Sequence, residues 1–140
     1  MRYVFYARLK QDEDGRWLIR FRDVPEALTD GGDRKEAVSE AAGALGAALA
    51  GYVLEQKDMP TPSNAKRGEV PIAVPSLVAA KLALHQAMQE QAITNVALAR
   101  RLGVTEAIVR RLINPDHSSK IEKVETALEA LGKRLIIEAA

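Results

Sequence analysis

Thr105, Glu106, Ala107, Arg110, Arg111 and Asn114 fall on one side of any helix that turns Val109 and Leu112 inward. These side-chain types suit the reading of base edges in a DNA groove. An arginine can hold guanine bidentately or grip a phosphate, and an asparagine can hold adenine. Thr94 and Asn95 open the preceding segment, where the free amides of a helix start suit a phosphate. Arg100, Arg101, Lys120 and Lys123 are further candidates for backbone contacts, each equally readable as solvated surface.

The spacing around these residues is that of a helix-turn-helix. Two short helices crossing steeply over a tight turn need a small residue where they touch, and Ala99 supplies it. The turn needs a residue free to take positive φ, and Gly103 follows four positions later. Val109 is the aliphatic anchor of the second helix, with Leu98, Leu102, Val104 and Leu112 filling the remaining inward positions. In such motifs the second helix enters the major groove and its first residues meet the bases. An ordinary helical hairpin is the plain alternative.

No catalytic constellation competes with this one. His85 and His117 share no metal-ligand spacing and have no cysteine partner, so both are expected as solvent-facing side chains. Gly31-Gly32 reads as a turn rather than a phosphate loop. Neither a metal nor a cofactor is expected.

The elements that must position the DNA-reading residues are helical. From Leu77 onward the pattern predicts helices over Leu77–Glu90, Asn95–Leu102, Glu106–Asn114 and Ile121–Leu131. Ser76, Thr94, Thr105 and Ser119 stand where N-caps belong, and Gly103 and Gly132 where left-handed closing residues belong. The tail Arg134–Glu138 is apolar and β-branched, as for a terminal strand. One such motif buries too little surface to bind tightly alone, so a homodimer or higher homo-oligomer is expected. The helix Ile121–Leu131 with Leu135, Ile136 and Ile137 is either that dimer surface or the completion of the helical core.

The front half is built differently. Phe5, Ala7 and Leu9 alternate with Val4, Tyr6 and Arg8, and Trp17, Ile19 and Phe21 with Leu18, Arg20 and Arg22. With Asp14-Gly15 between them they predict a hairpin having one apolar and one basic face. A short strand is expected near Glu26 to Thr29, broken by Asp30-Gly31-Gly32-Asp33. Asp33 and Glu36 have capping-box spacing for a helix from Arg34 to about Leu54. Its stripe of Val38, Ala41, Ala42, Leu45, Leu49, Tyr52 and Val53 would cover the hairpin. Gly43 and Gly46 are expected where this helix approaches the sheet closely. After a loop over Lys57–Glu69, Val70–Val74 reads as an edge strand because Pro71 cannot donate to a ladder.

Composition agrees with a cytoplasmic globular protein. Apolar residues are 47% and charged residues 28%, and there is no cysteine. No run of about 18 apolar residues suggests a membrane span, and charge interrupts the first residues too soon for a signal peptide. The net charge of +1 divides unequally. Residues 1–62 hold 9 basic against 11 acidic side chains, and residues 63–140 hold 11 against 8. The basic back half suits a nucleic-acid partner.

Taken whole, the chain resembles the HicB antitoxins of bacterial toxin–antitoxin pairs, in the subgroup with a C-terminal helix-turn-helix. The resemblance rests on the Tyr-rich first strand, Asp14-Gly15, Phe21, Asp23-x-Pro25, Thr29-x-Gly31 and Glu36-Ala37. Further on it rests on Asn95–Gly103, Asn114-Pro115 and Ala130–Leu135. Glu26 and Gly32 depart from it, standing where glycine and an acidic residue are usual. It implies an α+β N-terminal domain (1–74), partly ribonuclease H-like, which masks an mRNA-cleaving toxin of the HicA type. An all-α domain (75–140) would bind operator DNA, dimerise and repress the operon. Tyr6, Arg8, Arg20 and Arg22, or the acidic turn with Asp12 and Asp14, are candidate toxin contacts. Metal-dependent cleavage on a ribonuclease H-like fold needs an acid within the first strand, and Tyr3–Leu9 has none, so no catalysis is expected. The alternatives are a stand-alone repressor with a ligand-sensing front domain and a nuclease tethered to DNA.

Overall fold

Apolar alternation gives the first two strands, β1 (Val4–Gln11) and β2 (Trp17–Phe21), in a computed structural model that describes residues 1–140. They pair antiparallel with Ala7 opposite Phe21 and Leu9 opposite Ile19, which puts Phe5, Ala7, Ile19 and Phe21 in the core. The turn between them is tied by Asp12, whose Oδ1 accepts from the amides of Asp14 and Arg16, both at 2.9 Å.

Strand β3 (Leu28–Gly31) lies beyond β2 and begins two residues later than the sequence predicts. A turn in which the Ala27 amide donates to the Val24 carbonyl at 3.0 Å takes up the preceding residues. Asp30 and Gly31, expected to break the chain, complete the ladder instead, with Gly31 opposite Trp17. A Cβ on Gly31 would stand 2.4 Å from the Ala37 amide nitrogen, so only glycine lets the following helix start this close to the strand.

That helix, α1 (Arg34–Leu54), starts where the capping spacing places it. The Asp33 carboxylate accepts from the Glu36 amide at 2.8 Å, while Glu36 reaches back to the Gly32 amide at 2.7 Å. The reach falls on Gly32 rather than Asp33. A Cβ at position 32 would sit 3.1 Å from that same carboxylate, a contact that a small shift of the Glu36 side chain would relieve. Ala37, Ala41, Leu45, Leu49 and Val53 are buried, a stripe rotated from the predicted one, since Val38, Ala42 and Tyr52 are only half-buried. Gly43 is exposed, with nothing within 4 Å of a Cβ, so the close approach expected there is absent. Gly46 is buried. By length and composition alone α1 is long and apolar enough to cross a membrane, yet it packs on the sheet.

Strand β4 (Glu69–Ala73) adds antiparallel to β1 and completes the order β3-β2-β1-β4. Pro71 sits on this outer strand opposite Tyr6, where its missing amide proton costs no ladder bond. The chain divides into two compact units, Met1–Pro75 and Ser76–Ala140.

The second unit is all helix: α2 (Ser76–Glu90), α3 (Asn95–Leu102), α4 (Glu106–Ile113) and α5 (Ile121–Ala130). Its core gathers Leu84 and Met88 of α2, Leu98 and Ala99 of α3, Val109 and Leu112 of α4, and Val124 and Leu128 of α5. Fully burying each such leucine contributes about 1.5–3 kcal/mol.

Four predictions fail here. Ser76 is the first helical residue rather than the one before it. Ser119 does not cap α5: the cap position is Lys120, which makes no side-chain capping bond, and Ser119 Oγ accepts from Lys81 instead. The tail forms no strand, and Ile136 and Ile137 lie exposed while Leu135 packs on the core. His85 is not solvent-facing: its Nε2 is buried without a hydrogen-bond partner, and burial holds its pKa below the usual value.

Candidate nucleic-acid interface

Two hydroxyls and one glycine build the α3–α4 pair. Thr94 Oγ1 accepts from the Ala97 amide at 3.1 Å and Thr105 Oγ1 from the Ile108 amide at 3.3 Å, each closing one orphan donor of a helix start. Gly103 takes φ +68°, with the Val104 amide donating to the Ala99 carbonyl at 3.0 Å. Only three residues, 103–105, therefore separate α3 from α4.

Leu98, Ala99, Val109 and Leu112 are buried as predicted, while Leu102 and Val104 are partly buried against the same core. Inward anchoring of Val109 and Leu112 leaves Thr105, Arg110 and Arg111 exposed, and Glu106, Ala107 and Asn114 half-exposed. Thr94 is exposed at the head of α3 and Asn95 half-exposed beside it. Asn114 is the residue that follows α4, in extended backbone, rather than its last helical residue. Arg100, Arg101, Lys120 and Lys123 are also exposed.

Glu106 organises this surface. Its Oε1 accepts from Asn95 Nδ2 at 3.3 Å, and its Oε2 lies 3.4 Å from Arg110 Nη2 one turn on. One carboxylate thus links the start of α3 to the start of α4 and steadies the Arg110 guanidinium, whose side chain remains 66% exposed. An acid in the first turn and arginines in the last also match the helix dipole. The sequence reading missed two apolar members of this surface, Ile108 of α4 and Val96 of α3, exposed by 36% and 55%. Their signal was present: each is apolar but lies off the inward stripe.

The apolar face of α5 completes the helical core through Val124, Ala127 and Leu128. Of the dimer surface weighed from sequence, only Ile136 and Ile137 stay open.

The front unit places its charged residues less freely. Arg8 and Arg20 are exposed and face each other directly across β1 and β2, with Tyr6 half-buried on the same face. Arg22 is engaged. It donates to both oxygens of Glu69, at 3.2 and 2.8 Å, and to the Asn64 carbonyl at 2.9 Å. Arg22's hydrogen bond, with help from the Lys66 amide, holds the Glu69 carboxyl down at about 2. Asp23 accepts from the amide and the hydroxyl of Ser63, both at 2.7 Å. Together Arg22 and Asp23 fasten the loop after α1 to the sheet. Asp12 belongs to the hairpin turn, so of the acidic pair only Asp14 projects freely.

Glu26, the other departure from the family pattern, accepts from the Tyr52 hydroxyl at 2.7 Å. Burial, then Glu26, pushes the Tyr52 hydroxyl up to about 12. A shallow groove of ≈ 420 Å³ runs along this sheet face, lined by residues including Arg8, Lys10, Leu18 and Arg20. No group of three or more His, Asp or Glu side chains gathers to hold a metal ion.

Comparison with known proteins adds a family to this geometry. The sequence model of the HicB-like antitoxin of bacterial toxin–antitoxin systems matches residues 4–83, more than half of the chain. Antitoxin HicB 2 of Photorhabdus laumondii is 40% identical over 139 residues, covering 99% of this chain and 96% of the relative. Antitoxin HicB of Escherichia coli K12 is 38% identical over 135 residues, covering 96% of each. Antitoxin HicB of Pseudomonas fluorescens is 36% identical over 138 residues, covering 96% of this chain and 94% of the relative.

Proposed function

The chain belongs to the HicB antitoxin family, and from that premise we propose a protein of two tasks. Its front unit neutralises a small mRNA-cleaving toxin of the HicA type. Its back unit binds operator DNA through α3 and α4 as a helix-turn-helix and represses the operon that encodes both proteins. It is a regulator and not an enzyme.

The observation that carries the DNA-binding half is the outward set on α4. Arg110 and Arg111 stand exposed beside Ala107 and Asn114, on a helix whose opposite side is anchored by buried Val109 and Leu112. Arginines suit guanine or phosphate, and Thr94 with Asn95 at the start of α3 suits the phosphate backbone. Thr105 and Glu106 lie at the entry of α4, where Glu106 can accept from cytosine. A single unit of this size presents little surface to DNA, so a symmetric dimer reading two half-sites is the working form. Ile136 and Ile137 are the apolar residues open for that contact.

For the toxin, the strand order β3-β2-β1-β4 with one helix packed on it supports a partly ribonuclease H-like front unit. Arg8, Arg20 and Tyr6 on the open sheet face, or Asp14 at the turn, are its candidate contacts. Asp12 and Arg22 are held within the unit.

One observation favours a second reading, a stand-alone repressor with a ligand-sensing front unit: the groove of ≈ 420 Å³ beside Arg8 and Arg20. Co-purification of the tagged chain expressed with its neighbouring gene separates the two. A small RNA-cleaving partner bound at fixed stoichiometry and silent until released is the expected result. A chain that emerges alone yet retards its own upstream DNA is a plain repressor.

A further inference from the structure

Lys81, on α2, is the one charged side chain in the buried set, at 0% exposure. Four oxygens lie within hydrogen-bond distance of its ammonium. The carbonyls of Arg111 and Asn114 each lie at 2.9 Å, the His117 carbonyl at 2.6 Å and Ser119 Oγ at 2.8 Å. An ammonium carries three protons, so four acceptors more than satisfy it. Burial alone pushes its pKa down, and a buried charge persists only where such partners replace water.

The acceptors fall at a particular place. Helices α3 and α5 both close on a left-handed glycine, Gly103 and Gly132, whose following amides take up the last carbonyls. Helix α4 has no such closure. Its last helical residue, Ile113, is followed by Asn114 in extended backbone and then by Pro115, which has no amide proton to give. The orphan carbonyl of Arg111, at the negative end of the helix dipole, meets the Lys81 ammonium instead. The same ammonium gathers the loop that leads to α5. Two of the carbonyls held belong to Arg111 and Asn114, residues of the proposed DNA-contacting set.

We propose that Lys81 is the positioning residue of the DNA-binding face: by holding the Arg111, Asn114 and His117 carbonyls and Ser119, it sets where Arg110, Arg111 and Asn114 meet DNA. Lys81 itself touches no DNA. The inference rests on the reading of α3 and α4 as a DNA-binding pair.

The test is gel retardation of the gene's own upstream DNA at fixed salt, with Lys81→Met and Lys81→Gln, each with and without Arg110→Ala. Folding is checked by circular dichroism, and binding is measured well below each melting temperature. Arg110→Ala alone is expected to weaken binding about tenfold. A folded Lys81→Met is expected to lose about tenfold itself, and Arg110→Ala added to it to cost less than about threefold, because the guanidinium is no longer aimed. Lys81→Gln, which keeps two donors, is expected to fall between Lys81→Met and the unaltered chain.

A purely structural lysine would lower the melting temperature and leave both the affinity of the folded fraction and the Arg110→Ala penalty unchanged; that result overturns the proposal. Should neither Lys81 variant fold, Ser119→Ala removes one acceptor and is read the same way. A reduced affinity with a smaller Arg110→Ala penalty supports the role, and full affinity with the full penalty overturns it. If the unaltered chain leaves the DNA unretarded, or Arg110→Ala costs nothing, the DNA reading itself has failed and the positioning role falls with it.

Discussion

Charged residues of α4 and those beside the long front loop are treated differently by the fold. In the back unit Arg110 and Arg111 of α4 stand open, while Glu106 accepts from Asn95 and steadies Arg110. In the front unit Arg22, Asp12 and Asp23 look equally available in the sequence, yet each has its hydrogen bonds filled by the fold. An α-helix satisfies its backbone internally and needs side chains only at its ends. An edge strand and a 14-residue connector between α1 and β4 need fastening, and charged side chains supply it. A charged residue read from a helical stripe is therefore a better functional candidate than one read from a strand next to a long loop.

The largest expected effect contrasts two glycines. Gly31→Ala drives a Cβ into the Ala37 backbone at 2.4 Å and should destabilise the chain by about 3 kcal/mol or more, measured by urea unfolding. Gly103→Ala meets nothing within 4 Å but keeps φ at +68°, so it should cost only about 1–2 kcal/mol. Equal costs would mean that the front glycine is not there for packing.

Next comes the contrast in charge. Asp23→Ala removes two hydrogen bonds to Ser63 and should cost about 2 kcal/mol of stability while leaving retardation of upstream DNA unchanged. Arg110→Ala should do the reverse, losing about tenfold in DNA affinity with stability within about 0.5 kcal/mol. If Asp23→Ala weakened DNA binding in the folded state, the division of labour between the units would be wrong.

The pH windows should also separate. The Glu69 carboxyl is lowered from 4.5 to about 2, so the unfolded chain takes up its proton first as pH falls. Its contribution is present above about 4.5 and is lost towards pH 2. His85 is likewise lowered from 6.5, by burial. Here the unfolded chain gains the proton below about 6.5, and stability declines in that higher window. His85→Leu should flatten the change in melting temperature between about pH 7.5 and 5.5 and leave the acid limb in place. A drop near pH 6 that survives the substitution would assign it to another group.

The smallest effect is a gain. Gly43 is exposed within α1 and has open space around it, so Gly43→Ala should stabilise by about 1 kcal/mol in thermal unfolding. A loss there would restore the close approach that the sequence predicts.

Much of this architecture was legible in advance because its signals are local. The Asp33 cap lies three residues from its partner amide, Thr94 and Thr105 likewise, and the stripe of Val109 and Leu112 fixes the outward face of α4. What escaped depends on distance along the chain. Arg22 meets Glu69 47 residues away and Asp23 meets Ser63 40 residues away. Lys81 finds backbone carbonyls 30–36 residues on, and these carry no side-chain signature at all. Ser119 looked like a cap because its type and spacing fit, and the pull of Lys81 on its hydroxyl is invisible in one dimension.

One measurement reaches the central claim of two separable tasks. Unaltered chain and Arg110→Ala would each be produced in cells carrying the neighbouring gene and a reporter driven by the chain's own upstream DNA. The expected result is that Arg110→Ala releases the reporter while growth stays protected as well as by the unaltered chain. Repression that survives the substitution, or protection lost by a variant that still folds, would contradict it.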